Sequence, residues 1–350
     1  MTIAAKFPHT TETRLPGVEY AAFSKILQHR ANSSPAIEMV ESSETHLLMR
    51  ARSGLVHFSD HREGLQINLF ADRPERLQTL RDGLIDILAN AMPDITETLR
   101  WNDLNDTETL PPNLYFATVQ SVHPLGSAFL RVRIKADDLG GFQDDAIHFR
   151  LVLPPAGLRD IQWPSVKANG ATAWPQGDKA LHRPVYTTRW VDHDAGLMDF
   201  DVFLHDGGRV TQWAGSVSTG DTVAFMGPGG GGIPRTEQIL AFADETAFPA
   251  IARIAEALPA NASGKILMMA ADAAGCGYPI SVPDGVELTW MAQPDAAALA
   301  KLALSTHAEM PDHYFWFAAE KAAAQQVRHG YKQRGGKPQN AYIAGYWTRD

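Results

Sequence analysis

The stretch His182-Arg183-Pro184-Val185-Tyr186-Thr187-Thr188-Arg189 decides how this chain is read. It sets an aromatic ring, hydroxyls and two guanidinium groups in one short segment, and along an extended strand successive side chains face opposite sides. A planar cofactor with a phosphate tail asks for those groups: a ring to stack on, a hydroxyl for a ring heteroatom, and guanidinium forks for phosphate oxygens. The same eight residues also describe a proline-started barrel strand with surface arginines. The flanking chain has to decide between the two.

Around this stretch the periodicity is that of strands, at 115–122, 128–134, 147–152, 185–191, 198–204 and 222–227. Asp192-His193-Asp194-Ala195-Gly196 forms a hairpin turn, its acids serving the turn rather than a metal. Several short strands at this spacing predict a barrel or sandwich over 113–232. The Pro- and Gly-rich passage 154–177 interrupts the series and reads as a mobile loop.

Beyond Gly227-Pro228-Gly229-Gly230-Gly231-Gly232 the pattern alternates. Strands at 238–243, 265–270, 286–291, 314–318 and 341–345 are interleaved with helices at 246–258, 295–305 and 321–333. That alternation predicts a parallel sheet covered on both faces over 235–350. Upstream, residues 1–100 read as a small α+β unit: a helix over 14–32, strands at 36–40, 46–50, 55–58 and 65–70, and a second helix capped by Asp72. Residues 102–112 read as a linker. The fold class expected is therefore multidomain α+β and α/β.

An apolar fraction of 45% and a charged fraction of 20% are those of a globular protein. No eighteen-residue apolar run and no basic-then-apolar N-terminal layout is present, so a cytoplasmic location without membrane insertion is expected. One cysteine, Cys276, excludes an internal disulfide and a Cys-rich metal site within the chain. A formal charge of −9 argues against nucleic acid as the partner. Local basic character sits at the C-terminal end, where Lys321, Arg328 and Lys332 share one face of the last helix. Such cations either complement the helix dipole or form an anion-facing patch.

Two turns have the chemistry of nucleotide contacts. Gly207-Gly208-Arg209-Val210-Thr211-Gln212-Trp213-Ala214 follows a strand and opens a helix whose free N–H groups, with Arg209 and Thr211, suit a pyrophosphate. Asp244-Glu245-Thr246 stands where the first strand of the α/β part meets its helix, and suits either helix capping or a ribose or ring amide. The glycine run at 229–232 is not a dinucleotide fingerprint and reads as an interdomain turn.

These pieces occur in the order of a known family. From about residue 114 the chain resembles the siderophore-interacting proteins, FAD-dependent ferric-siderophore reductases built on the ferredoxin-reductase plan. The resemblance rests on Tyr186-Thr187-Thr188-Arg189, Asp201 with His205 and Gly208, Trp213-Ala214, Gly220-Asp221, Gly227-Pro228, Ala243 to Ala250, Ala318-Ala319-Glu320 and Gly345-Tyr346-Trp347. Arg183 stands three residues before Tyr186 where the family has two, and Ala243 and Ala319 replace glycines. Residues 1–100 resemble a small domain of unknown function found fused ahead of such reductases.

The resemblance implies FAD on the barrel, with Tyr186 stacking on the isoalloxazine, Thr187 bonding near N5, and Arg189, His205, Gly208 and Arg209 holding the diphosphate. Arg183, Thr188, Asp201, Val210, Thr211, Trp213, Thr246 and Trp347 would complete the cofactor contacts. It further implies NADH or NADPH as donor, a ferric siderophore as acceptor met by Lys321, Arg328 and Lys332, no resident metal, and a monomer. A general NAD(P)H:flavin oxidoreductase and a non-catalytic iron-chelate carrier remain as alternatives.

Overall fold

The computed structural model describes residues 6–33, 37–105, 108–272, 274–292 and 295–349. The chain divides into two compact units, Met1–Tyr115 with Val152–Arg183, and Phe116–Leu151 with Pro184–Asp350.

The first unit begins with β1 (His9–Pro16), followed by α1 (Tyr20–Ser33), β2 (Ile37–Ser42), β3 (His46–Ala51), β4 (Gly54–His61), β5 (Gly64–Ala71), α2 (Pro74–Ala91) and α3 (Pro93–Thr98). The five strands form an antiparallel sheet in the order β1-β5-β4-β3-β2. Phe23 and Leu27 of α1 and Leu77, Leu80, Leu84 and Leu88 of α2 pack with Leu65, Ile67 and Leu69 of β5 in one core.

Two local expectations differ. The reading of a helix from residue 14 overlooks β1, whose inward positions are Thr11, Thr13 and Leu15; two of the three are polar, so the alternation is muted in hydropathy. Asp72 does not cap α2, which starts at Pro74 with Arg73 as N-cap and no side-chain cap bond; proline at the first position needs no capped N–H there. Residue 36, read as a strand start, lies outside the described residues.

The second unit opens with β6 (Leu114–Leu125), β7 (Phe129–Lys135) and β8 (His148–Val152). The following segment, Val152–Arg183, groups with the first unit. Read from sequence as a mobile loop, it contains a short antiparallel pair, β9 (Ser165–Val166) and β10 (Thr172–Ala173). Polar contacts hold it: Gln78 Nε2 donates to the Gly170 carbonyl at 2.9 Å, Asp82 accepts from Thr172 N and Oγ1, and Trp101 Nε1 donates to the Asn169 carbonyl.

The chain returns in β11 (Val185–Thr187), β12 (Trp190–Asp192), β13 (Leu197–Phe203), α4 (Arg209–Ser216) and β14 (Thr222–Gly229). The seven-stranded sheet has the order β11-β8-β14-β6-β7-β13-β12. Its two end strands, β11 and β12, are separated in sequence only by Thr188 and Arg189. Two residues span less than ~10 Å, so the sheet has to curl until its edges meet. The seam is stitched by Thr188 N to the Ile147 carbonyl and Arg189 N to the Asp199 carbonyl, each 2.8 Å. The result is a barrel closed by one continuous segment, paired with β8 through β11 and with β13 through β12.

The α/β part comprises β15 (Gln238–Ala243), α5 (Phe248–Ala257), β16 (Ser263–Met269), β17 (Gly285–Met291), α6 (Ala296–Glu309), β18 (Tyr314–Glu320), α7 (Lys321–Gln333) and β19 (Ala341–Trp347). All pairs are parallel, in the order β17-β16-β15-β18-β19. The apolar run Ile239 to Ala243 is buried along its length, as a strand covered on both faces must be. Ile251 and Ile254 of α5 pack with one face of the sheet, and Leu299 of α6 and Val327 of α7 with the other. Between β16 and β17 a 3-10 turn at Gly275–Gly277 replaces a helix, with the buried Cys276 at φ 56°. No described helix is long and apolar enough to cross a membrane.

Candidate functional site

Tyr186 and Thr187 lie on β11 at the barrel seam, and the strand pleat sends them opposite ways: Thr187 is buried and Tyr186 half-exposed. The Tyr186 ring stands edge-on to Phe200 at 5.8 Å and tilted against Phe149 at 6.4 Å. Burial pushes its phenol well above the usual range, so it stays protonated. Phe200 in turn carries Trp213 of α4, the two rings 13° from parallel at 6.3 Å. A single phenylalanine therefore links the β11 shelf to the helix that opens at Arg209.

That helix starts after a glycine turn. A Cβ at Gly208 would stand 2.7 Å from the His205 ring and 2.9 Å from Thr211 Oγ1, so the turn closes only around glycine. Thr211 Oγ1 accepts from His205 N, and His205 Nδ1 donates to the Asp206 carbonyl, while the Nε2 side of the ring lies against the Gly208 turn. The N–H groups of Arg209, Val210 and Thr211 have no acceptor within the helix by position. Arg209 is exposed and Val210 buried. A ring shelf, a buried hydroxyl, three helix-opening donors, a cation and an imidazole match the donor set of a flavin with a diphosphate tail, so the residues present fit FAD.

Other residues named from sequence have different partners. Arg183, in the first unit, lays its guanidinium over Trp174 at 4.0 Å from the ring centre. Arg189 is buried, with both terminal nitrogens on Glu256 of α5 at 2.8 and 2.5 Å and Nε without a partner. It clamps the barrel seam to the α/β part. Beside it Arg253 donates to the Thr188 carbonyl and to Asp144, while the Thr188 hydroxyl is buried without a bond. Asp201 has no exposed side-chain surface; it binds Arg131 through both oxygens and accepts from Tyr278 OH. Its carboxylate is thus committed within the protein.

Thr246 and Trp347 meet at one carboxylate. Asp244 Oδ1 accepts from Thr246 N and Oγ1, and its Oδ2 from Trp347 Nε1 at 2.7 Å. Burial raises the Asp244 carboxyl, against the pull of these bonds. On α7, Lys321 and Lys332 are exposed, whereas Arg328 donates to the Ile343 carbonyl of β19. Asp350, the acid that ends this basic region, lies outside the described residues.

Sequence reasoning missed His148. Its ring is buried behind Thr187, with Nδ1 3.3 Å from Thr187 Oγ1 and Nε2 3.1 Å from Tyr346 OH and 3.5 Å from Tyr342 OH. A single histidine on a barrel strand has no spacing signal to reveal it. Among the described residues no three His, Cys, Asp or Glu side chains are grouped as for a metal.

Comparison with known proteins agrees with this layout. Residues 118–232 match the siderophore-interacting FAD-binding domain and 236–350 the siderophore-interacting protein model. The NADPH-dependent ferric-chelate reductase of Escherichia coli is 26% identical over 240 residues, covering 66% of this chain and 91% of its own. SipS of Aeromonas hydrophila shares the fold at TM-score 0.56 and 24% identity, covering 68% of this chain and 99% of that one. A siderophore utilization protein of T. fusca aligns at TM-score 0.52 and 26% identity, over 69% and 96% respectively. The barrel with its parallel α/β partner is the layout shared with ferredoxin reductases, and from residue 118 onward the chain belongs to the siderophore-interacting protein family.

Proposed function

We propose that this protein is a monomeric cytoplasmic flavoprotein that uses NADH or NADPH to reduce ferric siderophores and release Fe(II). The observation that carries the reading is the pairing of the Tyr186–Thr187 shelf with the glycine-opened helix at Arg209, joined through Phe200. When bound, FAD would take a hydride and pass electrons singly to an iron chelate. Tyr186 would support the ring, the Thr187 hydroxyl would meet its N5 edge, and His205, Arg209 and the N–H groups of residues 209–211 would hold the diphosphate. The nicotinamide nucleotide would lie at the carboxyl end of β15, near Thr246 and Trp347. Fe(II) is the softer ion and fits hard oxygen donors poorly, so reduction loosens the chelate without cleaving it.

The exposed Lys321 and Lys332 would draw in an anionic chelate despite the overall charge of −9. Replacing both by alanine should weaken low-salt binding of a ferric catecholate and spare an uncharged ferric hydroxamate; equal effects on the two would refute this role. The reductase reading itself is tested by the visible spectrum of the purified protein supplemented with FAD. Flavin bands that bleach anaerobically with NADH or NADPH and return with a ferric siderophore are expected. Failure to bind FAD would overturn it.

A further inference from the structure

NADH and NADPH differ only at the adenosine end, so the residues that meet that end decide between them. In the parallel sheet the succession of strands, β17-β16-β15-β18-β19, reverses between β15 and β18, and ligands of such sheets lie outside the carboxyl ends at that reversal. A dinucleotide is longer than one inter-strand step of about 4.8 Å, so from there it runs over one flank of the sheet. The β18–β19 flank is closed. Trp347 of β19 reaches back to the Asp244 carboxylate beyond β15 at 2.7 Å, and Glu320 of β18 takes two of the opening N–H groups of α7, those of Ala322 and Ala323. The flank over β16 and β17 carries the turn at Gly275–Gly277 in place of a helix.

Asp272 stands on that flank, just past Met269, the last residue of β16. Its Oδ1 accepts from Ala274 N at 2.9 Å and from Cys276 N at 3.0 Å, so the acid caps its own turn. The turn is fixed to the barrel: the Cys276 carbonyl accepts from Ser127 N at 2.7 Å and from Ser127 Oγ, and a Cβ on Gly126 would stand 2.0 Å from the same oxygen. The carboxylate is thereby held in place. Asp272 is exposed, and its Oδ2 has no partner among the described residues. Other acids of this edge are committed, Asp244 to Thr246 and Trp347, and Asp295 to Ala298 N as the cap of α6. Cations are missing here. From Ile266 to Ala300 the chain has no lysine or arginine, and Lys265 is paired with Glu287 at 3.5 Å.

We infer that Asp272 makes this protein selective for NADH over NADPH, its Oδ2 accepting from the 2′-hydroxyl of the adenosine ribose. This rests on the reading of the α/β part as the pyridine-nucleotide site. An ionised carboxylate only accepts hydrogen bonds, so the hydroxyl of NADH supplies what it lacks. The 2′-phosphate of NADPH offers more acceptors instead, and a phosphate monoester carries about −1.5 to −2 charge at neutral pH. The carboxylate cannot swing aside, because Oδ1 holds the turn. With no lysine or arginine on this flank, nothing offsets the repulsion. A charge-assisted bond gained by one nucleotide and lost by the other corresponds to a preference of about tenfold.

The test is anaerobic bleaching of the FAD-loaded protein by NADH and by NADPH over a range of concentrations, with calorimetric titration of NAD+ and NADP+ as a readout that involves no turnover. NADH should reach its half-maximal rate at a concentration about tenfold lower, and NAD+ should bind about tenfold more tightly than NADP+. Asp272→Asn keeps an Oδ1 for Ala274 N and Cys276 N but removes the charge. It should bring the two nucleotides close to parity, chiefly by a gain in NADP+ affinity. A purely structural role for Asp272 would weaken both alike and leave their ratio unchanged. Equal use of both nucleotides by the wild type, a preference for NADPH, or an unaltered ratio in Asp272→Asn would overturn the inference. If FAD binds but neither nucleotide bleaches it, and neither NAD+ nor NADP+ binds, the placement of a nucleotide on the α/β part fails and the selectivity with it.

Discussion

Glu256→Ala probes the clamp at the barrel seam. Arg189 is 9% exposed and directs both terminal nitrogens at Glu256, whose side chain is 47% exposed. Removing one partner of a fully buried ion pair costs about 3–5 kcal/mol, and of an exposed pair under about 1. Here the guanidinium is inside and the carboxylate half in water, so water can approach from one side only and a loss of about 2 kcal/mol is expected. For a folding unit of this size that lowers the thermal midpoint by roughly 4–8 °C. Arg189→Ala should cost a similar amount, and the double variant little more than either, because both remove one shared interaction. The assay is differential scanning fluorimetry alongside FAD titration. An unchanged midpoint in Glu256→Ala, or an Arg189→Ala protein of full stability that no longer binds FAD, would refute the clamp and return Arg189 to the flavin.

Three further outcomes are expected. Gly208→Ala crowds His205 and Thr211 at under 3 Å and should weaken FAD binding about tenfold, about 1.4 kcal/mol, measured by flavin fluorescence. Asp201→Asn unbalances Arg131 and should cost about 3 kcal/mol in urea unfolding, while keeping an acceptor for Tyr278. His307 is buried between Phe315 and Tyr331 with Nδ1 unpartnered, and burial lowers its pKa, with Arg334 adding to the effect. Its neutral form is the one folded, so the contribution is full above about pH 6.5 and fades as pH falls towards the lowered folded value. Unfolding curves at pH 7.5 and 5.5 should differ less in His307→Phe than in the wild type.

The sequence was most legible where one chemical rule fixed one element. Ile239 to Ala243 announced a doubly covered strand, and Lys321–Gln333 an amphipathic helix, with the limits found. β1 escaped because Thr11 and Thr13 do inside work with polar side chains. The 152–183 segment looked loose because what holds it comes from residues some 70 to 90 positions away, among them Gln78, Asp82 and Trp101. The residues of the flavin motif lie on β11 and at the seam, where Arg189 answers to a carboxylate 67 residues on, and His148 meets its partner Tyr346 198 residues later. Local pattern sets what a side chain is able to do, and tertiary neighbours select among those options.

The two-residue step at Thr188–Arg189 also determines where this scaffold tolerates change in length. One extra residue between β11 and β12 would reverse the facing of every side chain on one side of the seam, exchanging the buried Thr187 for the outward Tyr186. The segment between β8 and β11 has taken up some thirty residues without disturbing the ladder that joins those strands. Lengthening by design therefore belongs in that segment, whereas the seam keeps its count of residues as strictly as a reading frame.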